Sequence, residues 1–223
     1  MVIIFDLDDT LYEELTFVRS GFQAVADYLS PLLGKPQSLI MEGLNAELQL
    51  GRNNVFNRFL HKLDKKNEAI INACVRVYRG HSPLLHLFPE AEACLINLQS
   101  YPLYVVTDGN HLVQRKKIKA LGLDFLVRRS FFTYAHGLHR RKPSPYCFTK
   151  ICALEKVNPV SALYVGDNPY KDFVGIKPLG FQTIRVLTGP YANVTVDPVY
   201  EADYTIRSLA ELDAKLLQKL HNS

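Results

Sequence analysis

The chain has 223 residues, which is long enough for one medium-sized domain with a smaller inserted or appended piece. Hydrophobic residues make up 48% and charged residues 22%, as in an ordinary globular protein. A formal net charge of +4, with no basic stripe interleaved with aromatic residues, argues against a nucleic acid polymer as a partner. The apolar start ends at Phe5, which is too early for a signal peptide or a membrane span.

The cysteines point to a reduced, cytoplasmic setting as the expectation. None forms a C-x-x-C pair or shows metal-like spacing, and three lie in apolar surroundings typical of buried helix faces. We therefore expect small buried hydrophobic residues rather than metal ligands or nucleophiles. The four are Cys74, Cys94, Cys147 and Cys152.

Short apolar runs that end in polar residues predict a parallel sheet buried on both faces. Such runs occur at residues 2–5, 103–106, 162–165 and 182–187, with a fifth at 131–134. Helical patterns at 112–121 and 145–154 alternate with them, which is typical of βαβ units. We expect an α/β fold with a doubly wound, parallel, Rossmann-like sheet, whose ligand crevice lies beyond the carboxyl ends of the strands.

Residues 13–86 interrupt this alternation with helical periodicity alone. Pro31 and Gly51 are among the residues that separate the helical segments, which are predicted at 15–29, 38–50, 55–63 and 68–78. The simplest account is an α-helical domain inserted after the first strand, so that residues 1–12 and 87–223 form the core. A closing amphipathic helix is predicted at 210–220.

Two acids, Asp6 and Asp8, follow the first predicted strand. In an extended segment both carboxylates point to the same side, where each disfavours ionisation of the other. A cation between them, or a shared proton, relieves this repulsion and suits one acid for nucleophilic attack and its neighbour for proton transfer. The alternative at this point is a pair of exposed acids at a strand end.

The next two segments offer groups that bind phosphate. Thr107, Asp108 and Gly109 place a hydroxyl and backbone amides at a helix start, although plain helix capping explains them equally well. Prolines after Lys142 stiffen its loop and fix the direction of a charge able to screen two anions. A lone Lys-Pro pair is usually a surface feature, so neither segment is specific by itself.

The last polar segment is a candidate metal site. Asp167 leaves a predicted strand and Asp172 begins the following helix, so that a short turn brings both carboxylates together. Hard oxygen ligands of this kind suit Mg²⁺. Asp172 is equally well suited to cap the helix.

In this order the segments Asp-x-Asp-x-Thr, Thr-Asp-Gly, Lys-Pro and Gly-Asp-x₄-Asp resemble the motifs of the haloacid dehalogenase superfamily along the whole chain. The resemblance implies a helical cap of the C1 type at 13–86. It implies that Asp6 is the nucleophile, forming an aspartyl-phosphate, and that Asp8 is the acid and base. The implied phosphate-binding residues are Thr107, Asp108, Gly109 and Lys142. The implied Mg²⁺ ligands are Asp6, Asp8 through its backbone carbonyl, Asp167 and Asp172, the last ligating or orienting.

Asp8 favours phosphoryl transfer, because the dehalogenase members of this family lack the second acid of the first motif. We expect a Mg²⁺-dependent phosphatase that acts on a small phosphorylated metabolite, such as a sugar phosphate or a nucleotide. A sugar-phosphate mutase of the same fold and a catalytically silent binding protein stay open as alternatives. Arg52 and Asn54, at a break in the cap, are the expected substrate contacts. We expect a monomer or weak homodimer, without a membrane or a nucleic acid polymer as partner.

Overall fold

A computed structural model of the chain, described here for residues 1–221, contains a six-stranded sheet whose neighbouring strands are all parallel. The strands are β1 Val2–Phe5, β2 Leu103–Thr107, β3 Arg129–Phe132, β4 Ala162–Gly166, β5 Gln182–Val186 and β6 Tyr204–Ile206. The helices are α1 Glu14–Leu33, α2 Gln37–Gln49, α3 Val55–Lys62, α4 Glu68–Gly80, α5 Pro89–Asn97, α6 His111–Ala120, α7 Tyr146–Glu155, α8 Pro169–Asp172 and α9 Ala214–His221. The strand order is β3-β2-β1-β4-β5-β6, so the predicted α/β fold with a doubly wound parallel sheet is confirmed.

The register of the central strands determines which residues meet at the carboxyl edge of the sheet. Phe5, the last residue of β1, lies beside Val105 of β2 and Val165 of β4. All residues of β1, β2 and β4 are buried, which explains why each strand is an almost unbroken apolar run. The polar residues that follow these strands therefore emerge side by side.

The chain forms two compact units, one made of Met1–Glu14 and Leu85–Ser223 and the other of Leu15–Leu84. The first unit contains the sheet, and Phe148 of α7 packs with Tyr164 and Phe173 in its core. The second unit, called the inserted unit below, consists of α1 to α4 around its own apolar core, which includes Phe22 and Leu44. None of the described helices is long and apolar enough to cross a membrane.

All four cysteines are buried and free, as expected from their apolar surroundings. Burial raises the pKa of Cys74 to about 11 and that of Cys94 to about 12. These thiols are therefore neutral at ordinary pH and contribute to the core as small hydrophobic groups.

Several predicted elements differ in extent from the observed ones. The helix α1 continues through Pro31 to Leu33, because a proline in the last turn removes only one amide donor and Gly34, at φ 62°, ends the helix instead. The strand predicted at 131–134 is β3, which begins and ends two residues earlier, at Arg129–Phe132. The predicted tail helix at 210–220 is wrong in its first part, where a 3₁₀ turn precedes α9.

Candidate active site

Asp6 lies directly after β1, held by a hydrogen bond from its N–H to the Val165 carbonyl at 2.8 Å. Its side chain is buried. One carboxylate oxygen, Oδ1, lies 2.8 Å from the Lys142 ammonium. The other oxygen, Oδ2, is buried and has no hydrogen-bond partner among the described residues. A buried, unpartnered carboxylate oxygen is costly unless a ligand completes it, so Oδ2 indicates a binding position.

Lys142 contacts three residues, namely Asp6 after β1, Tyr164 within β4 and Asp172 at the end of α8. Its ammonium lies 2.7 Å from Asp172 Oδ1 and donates to the Tyr164 hydroxyl at 2.9 Å, in addition to its contact with Asp6. Burial alone would lower the pKa of Lys142, but the charges of Asp172 and Asp6 outweigh this effect and raise the pKa well above its usual value. Lys142 is therefore a permanent, buried cation.

The backbone around Lys142 is fixed from two sides. Asp108 accepts hydrogen bonds from the Thr133 hydroxyl at 2.6 Å and from the Lys142 N–H at 3.1 Å. On the other side, a Cβ on Gly175 would overlap the Pro143 carbonyl, so only glycine permits this close approach. The Asp108 carboxylate, a predicted phosphate-binding group, is thus occupied in positioning Lys142.

Asp167 and Asp172 complete a group of three carboxylates. One oxygen each of Asp6, Asp167 and Asp172 lies within 4.8 Å of the others. The prediction that Asp172 begins or caps the helix after β4 is wrong, because Asn168 caps α8 and Asp172 is its last residue. Asp172 Oδ2 accepts the Asn168 N–H at 2.9 Å. A Cβ on Gly166 would lie 2.5 Å from Asp172 Oδ2, so the glycine makes room for this carboxylate. All three acids are buried.

The pKa values of these acids show an excess of negative charge. Burial, opposed by Lys142 and reinforced by Asp172, raises the pKa of Asp6 to about 6. Burial and the charges of Asp172 and Asp6 raise the pKa of Asp167 to about 9. Burial would also raise the pKa of Asp172, but Lys142 and Lys171 hold it below its usual value. The unpartnered Asp6 oxygen and the excess charge fit a hard divalent cation such as Mg²⁺.

Asp8 occupies a different environment, because the chain turns immediately after it. The Leu11 N–H donates to the Leu7 carbonyl at 3.0 Å, and Asp9 has a left-handed φ of 57°. The extended geometry assumed for the two acids therefore ends here. The charges with the largest effect on Asp6 are those of Lys142 and Asp172, so the expected mutual repulsion of Asp6 and Asp8 is replaced by that of Asp6 and Asp172.

Three donors surround the Asp8 carboxylate. Oδ1 accepts from the Tyr12 hydroxyl at 2.5 Å and lies 2.6 Å from the Lys117 ammonium. Oδ2 accepts from the Gln114 amide at 2.8 Å. Burial alone would raise the pKa of Asp8, but Lys117 and these hydrogen bonds outweigh it and lower the pKa. In the resting protein Asp8 is an anion.

Thr107 is the last residue of β2, and its buried hydroxyl accepts a hydrogen bond from Gln114 Nε2 at 2.6 Å. Gly109 follows with φ 119° in the turn before α6. The Asn110 side chain caps this helix by accepting from the amides of Leu112 and Val113. Helix capping is thus the role of Asn110, and phosphate binding by Thr107, Asp108 and Gly109 stays a prediction.

The predicted site residues of the unit that contains the sheet form two clusters. Asp6, Asp167, Asp172 and Lys142 form one cluster, and Asp8 and Thr107 share contacts to Gln114 in the other. Arg52 and Asn54 are exposed residues before α3 in the inserted unit, and their contact with substrate stays a prediction.

Sequence reasoning missed four residues of these clusters: Tyr12, Gln114, Lys117 and Tyr164. A signal existed for two of them. Val113 and Ile118 mark the apolar face of α6, and Gln114 and Lys117 fall on that same face. Polar residues on an apolar helix face need buried partners, which is a sign of a structured site.

Known proteins with similar sequences and folds show the family to which the chain belongs. A family model described as a haloacid dehalogenase-like hydrolase matches residues 1–180. The chain is 28% identical over 229 residues to a glyceraldehyde 3-phosphate phosphatase of Pyrococcus furiosus, covering 95% of this chain and 90% of that protein. The crystal structure of a HAD phosphatase from Thermococcus onnurineus is 26% identical, with a TM-score of 0.64 and 97% of both chains covered.

A 2-haloacid dehalogenase from Pseudomonas syringae has the same fold, with a TM-score of 0.68 and 24% identity over 98% of this chain and 99% of that one. The fold alone therefore does not separate phosphatases from dehalogenases. Similarity to phosphatases over most of the chain supports the predicted class of enzyme, a phosphatase. Since the family model covers residues 1–180 of the 223, the chain belongs to the haloacid dehalogenase-like hydrolase family.

Proposed function

We propose that this protein is a Mg²⁺-dependent phosphatase that hydrolyses a small phosphorylated metabolite through an aspartyl-phosphate on Asp6. One observation carries the proposal: one Asp6 oxygen contacts Lys142, and the other is buried beside Asp167 and Asp172 without a hydrogen-bond partner in residues 1–221. Asp6 is thereby a nucleophile whose position is fixed before the substrate arrives.

Asp6, Asp167 and the Asp8 backbone carbonyl would hold the metal, with Asp172 as a further ligand or an orienting group. When bound, Mg²⁺ neutralises the negative charge that collects as a phosphate approaches the carboxylates. Asp172 already accepts hydrogen bonds from Tyr164 and the Asn168 N–H and contacts Lys142, which favours the orienting role. Excess carboxylate charge and the unpartnered Asp6 oxygen support this assignment.

In the first step Asp6 attacks phosphorus, and the bond between phosphorus and the leaving oxygen breaks. The Thr107 hydroxyl, the amides of Asp108 and Gly109, and the Lys142 ammonium hold the phosphoryl oxygens. The phosphate dianion raises the proton affinity of Asp8, which takes up a proton and passes it to the leaving oxygen. Asp8, again an anion, then removes a proton from the water that hydrolyses the aspartyl-phosphate.

The substrate is proposed from the relatives, several of which are named glyceraldehyde 3-phosphate phosphatases. A three-carbon phosphorylated aldehyde, or a similar small sugar phosphate, is therefore the first compound to test. The four buried, free thiols fit the proposed cytoplasmic location. Arg52 and Asn54 are the proposed substrate contacts in the inserted unit, and their alanine variants should change KM more than kcat.

The test is phosphate release from a panel of phosphorylated metabolites with Mg²⁺, followed by EDTA and the variant Asp6→Asn. We expect both treatments to abolish release, while Asp124→Asn, which changes an exposed acid, leaves it intact. Full activity of Asp6→Asn would contradict covalent catalysis by Asp6. Transfer of phosphate within one sugar without release would identify a mutase, and binding without turnover would identify a silent protein.

A further inference from the structure

Helix α6 carries two buried polar residues that belong to none of the four motifs. Gln114 and Lys117 are three residues apart and therefore share one face of the helix. Both are almost inaccessible, with 2% and 3% of their surface exposed. A lysine is rarely buried to this extent unless it is paired.

The partner of both residues is Asp8. Lys117 Nζ lies 2.6 Å from Asp8 Oδ1, and Gln114 Nε2 donates to Asp8 Oδ2 at 2.8 Å. The same Gln114 nitrogen donates to Thr107 Oγ1 at 2.6 Å. One amide group thus connects the carboxylate proposed for proton transfer with the hydroxyl proposed for phosphate binding. Each oxygen of the carboxylate has its own donor from α6.

Stability is a poor explanation for this arrangement. Removing a lysine from water costs free energy that buried ion pairs, here with Asp8 and at 3.8 Å with Glu14 Oε1, often fail to recover, and an apolar residue of similar size is frequently as stable. The Asp8 side chain retains 20% exposure, whereas that of Lys117 retains 4%, so the buried lysine holds a carboxylate that solvent can reach. The contact is better explained by a need to fix the direction of the carboxylate.

We propose that Gln114 and Lys117 are positioning residues that hold Asp8 and the Thr107 hydroxyl at a constant separation. This inference rests on the proposed function, in which Asp8 protonates the leaving oxygen while Thr107 holds the phosphoryl group. Without these two donors, only the Tyr12 hydroxyl remains of the three described donors to Asp8, so the carboxylate is freer to rotate about its side-chain bonds. A displacement of about 1 Å can cost about 100-fold in rate. In this proposal Lys117 acts through Asp8, and Gln114 acts through Asp8 and Thr107.

The dependence of activity on the leaving group tests the positioning role, because a purely structural role would affect both kinds of ester equally. The 4-nitrophenolate group of 4-nitrophenyl phosphate leaves readily without a proton. The alkoxide group of an aliphatic phosphate needs a proton from the acid in order to leave. The comparison uses kcat/KM, which reports the step in which the leaving group departs. For Lys117→Met and Gln114→Leu we expect the loss with the best aliphatic substrate to exceed the loss with the aryl ester by about 10-fold or more.

Matched variants separate position from charge and folding. Lys119→Met removes an exposed lysine from the same helix and should leave kcat/KM for both substrates unchanged. Lys117→Arg keeps the charge and should recover part of the aliphatic activity. If Lys117→Met fails to fold, Gln114→Leu and Lys117→Arg still provide the comparison. Equal losses for both esters in folded variants, or no loss at all, would overturn the proposal. Activity that survives in Asp6→Asn would instead overturn the proposed function.

Discussion

The Lys142 ammonium, buried between Asp6 and Asp172, gives the most direct test of the electrostatics of the site. The variant Lys142→Met keeps the volume of the side chain but leaves two buried carboxylates without their cation at 2.8 and 2.7 Å. Breaking a buried ion pair by removing one partner costs about 3–5 kcal/mol. In a chain of this size each kcal/mol lowers the Tm by about 2–4 °C, so we expect a decrease of about 6–20 °C.

The assay is thermal unfolding followed by circular dichroism at pH 7, first in EDTA and then with Mg²⁺. Because a bound cation replaces part of the missing charge, Mg²⁺ should raise the Tm of the variant more than that of the original protein. Activity should fall by about 100-fold or more, since a preorganised phosphate ligand is lost. Lys150→Met, at an exposed position on α7, is the matched control. A Tm decrease below about 2 °C would refute the reasoning, because it would mean that the two carboxylates do not depend on Lys142.

Three further predictions concern the same cluster. Tyr164→Phe removes the hydroxyl that donates to Asp172 at 3.1 Å, and denaturant unfolding should show a loss of about 1–3 kcal/mol. The pKa values of Asp6 and Asp167 are raised to about 6 and about 9, so between pH 3.8 and these values the two acids hold more protons in the folded metal-free protein than in the unfolded chain. Stability in EDTA should therefore fall as the pH rises through these values, and Asp167→Asn should abolish the fall above pH 6, as unfolding at a series of pH values will show. Gly166→Ala places a Cβ 2.5 Å from Asp172 Oδ2, so activity measured against Mg²⁺ concentration should show weaker metal binding; unchanged affinity would mean that Asp172 does not orient the site.

The central strands were predictable because burial on both faces demands uninterrupted apolar residues. The edge strands β3 and β6 lack this signature. β3 begins with Arg129 and Ser130, which are not buried, so its first half resembles a loop in the sequence. β6 has only three residues, of which only Ile206 is buried, and sequence analysis missed it. At an edge, hydrogen bonds to a single neighbour form a strand without requiring an apolar pattern.

One part of the candidate site was predictable from the sequence, and another part was not. The three acids Asp6, Asp167 and Asp172 were predictable as neighbours because each follows a strand of one parallel sheet. The contacts of Asp8 were not, because they depend on how α6 is rotated against the end of β1. A lysine on a helix is normally exposed, and only the packing of α6 shows that Lys117 is buried and lies 2.6 Å from Asp8.

The four buried thiols also provide the molecule with its own reporters of local opening. An alkylating reagent reacts with the thiolate, and burial keeps these groups neutral and covered until the surrounding structure opens. Cys74 belongs to the inserted unit, whereas Cys94, Cys147 and Cys152 belong to the unit that contains the sheet. Pulse alkylation read by peptide mass spectrometry therefore distinguishes the opening of one unit from that of the other. The natural sequence needs no added label for this measurement.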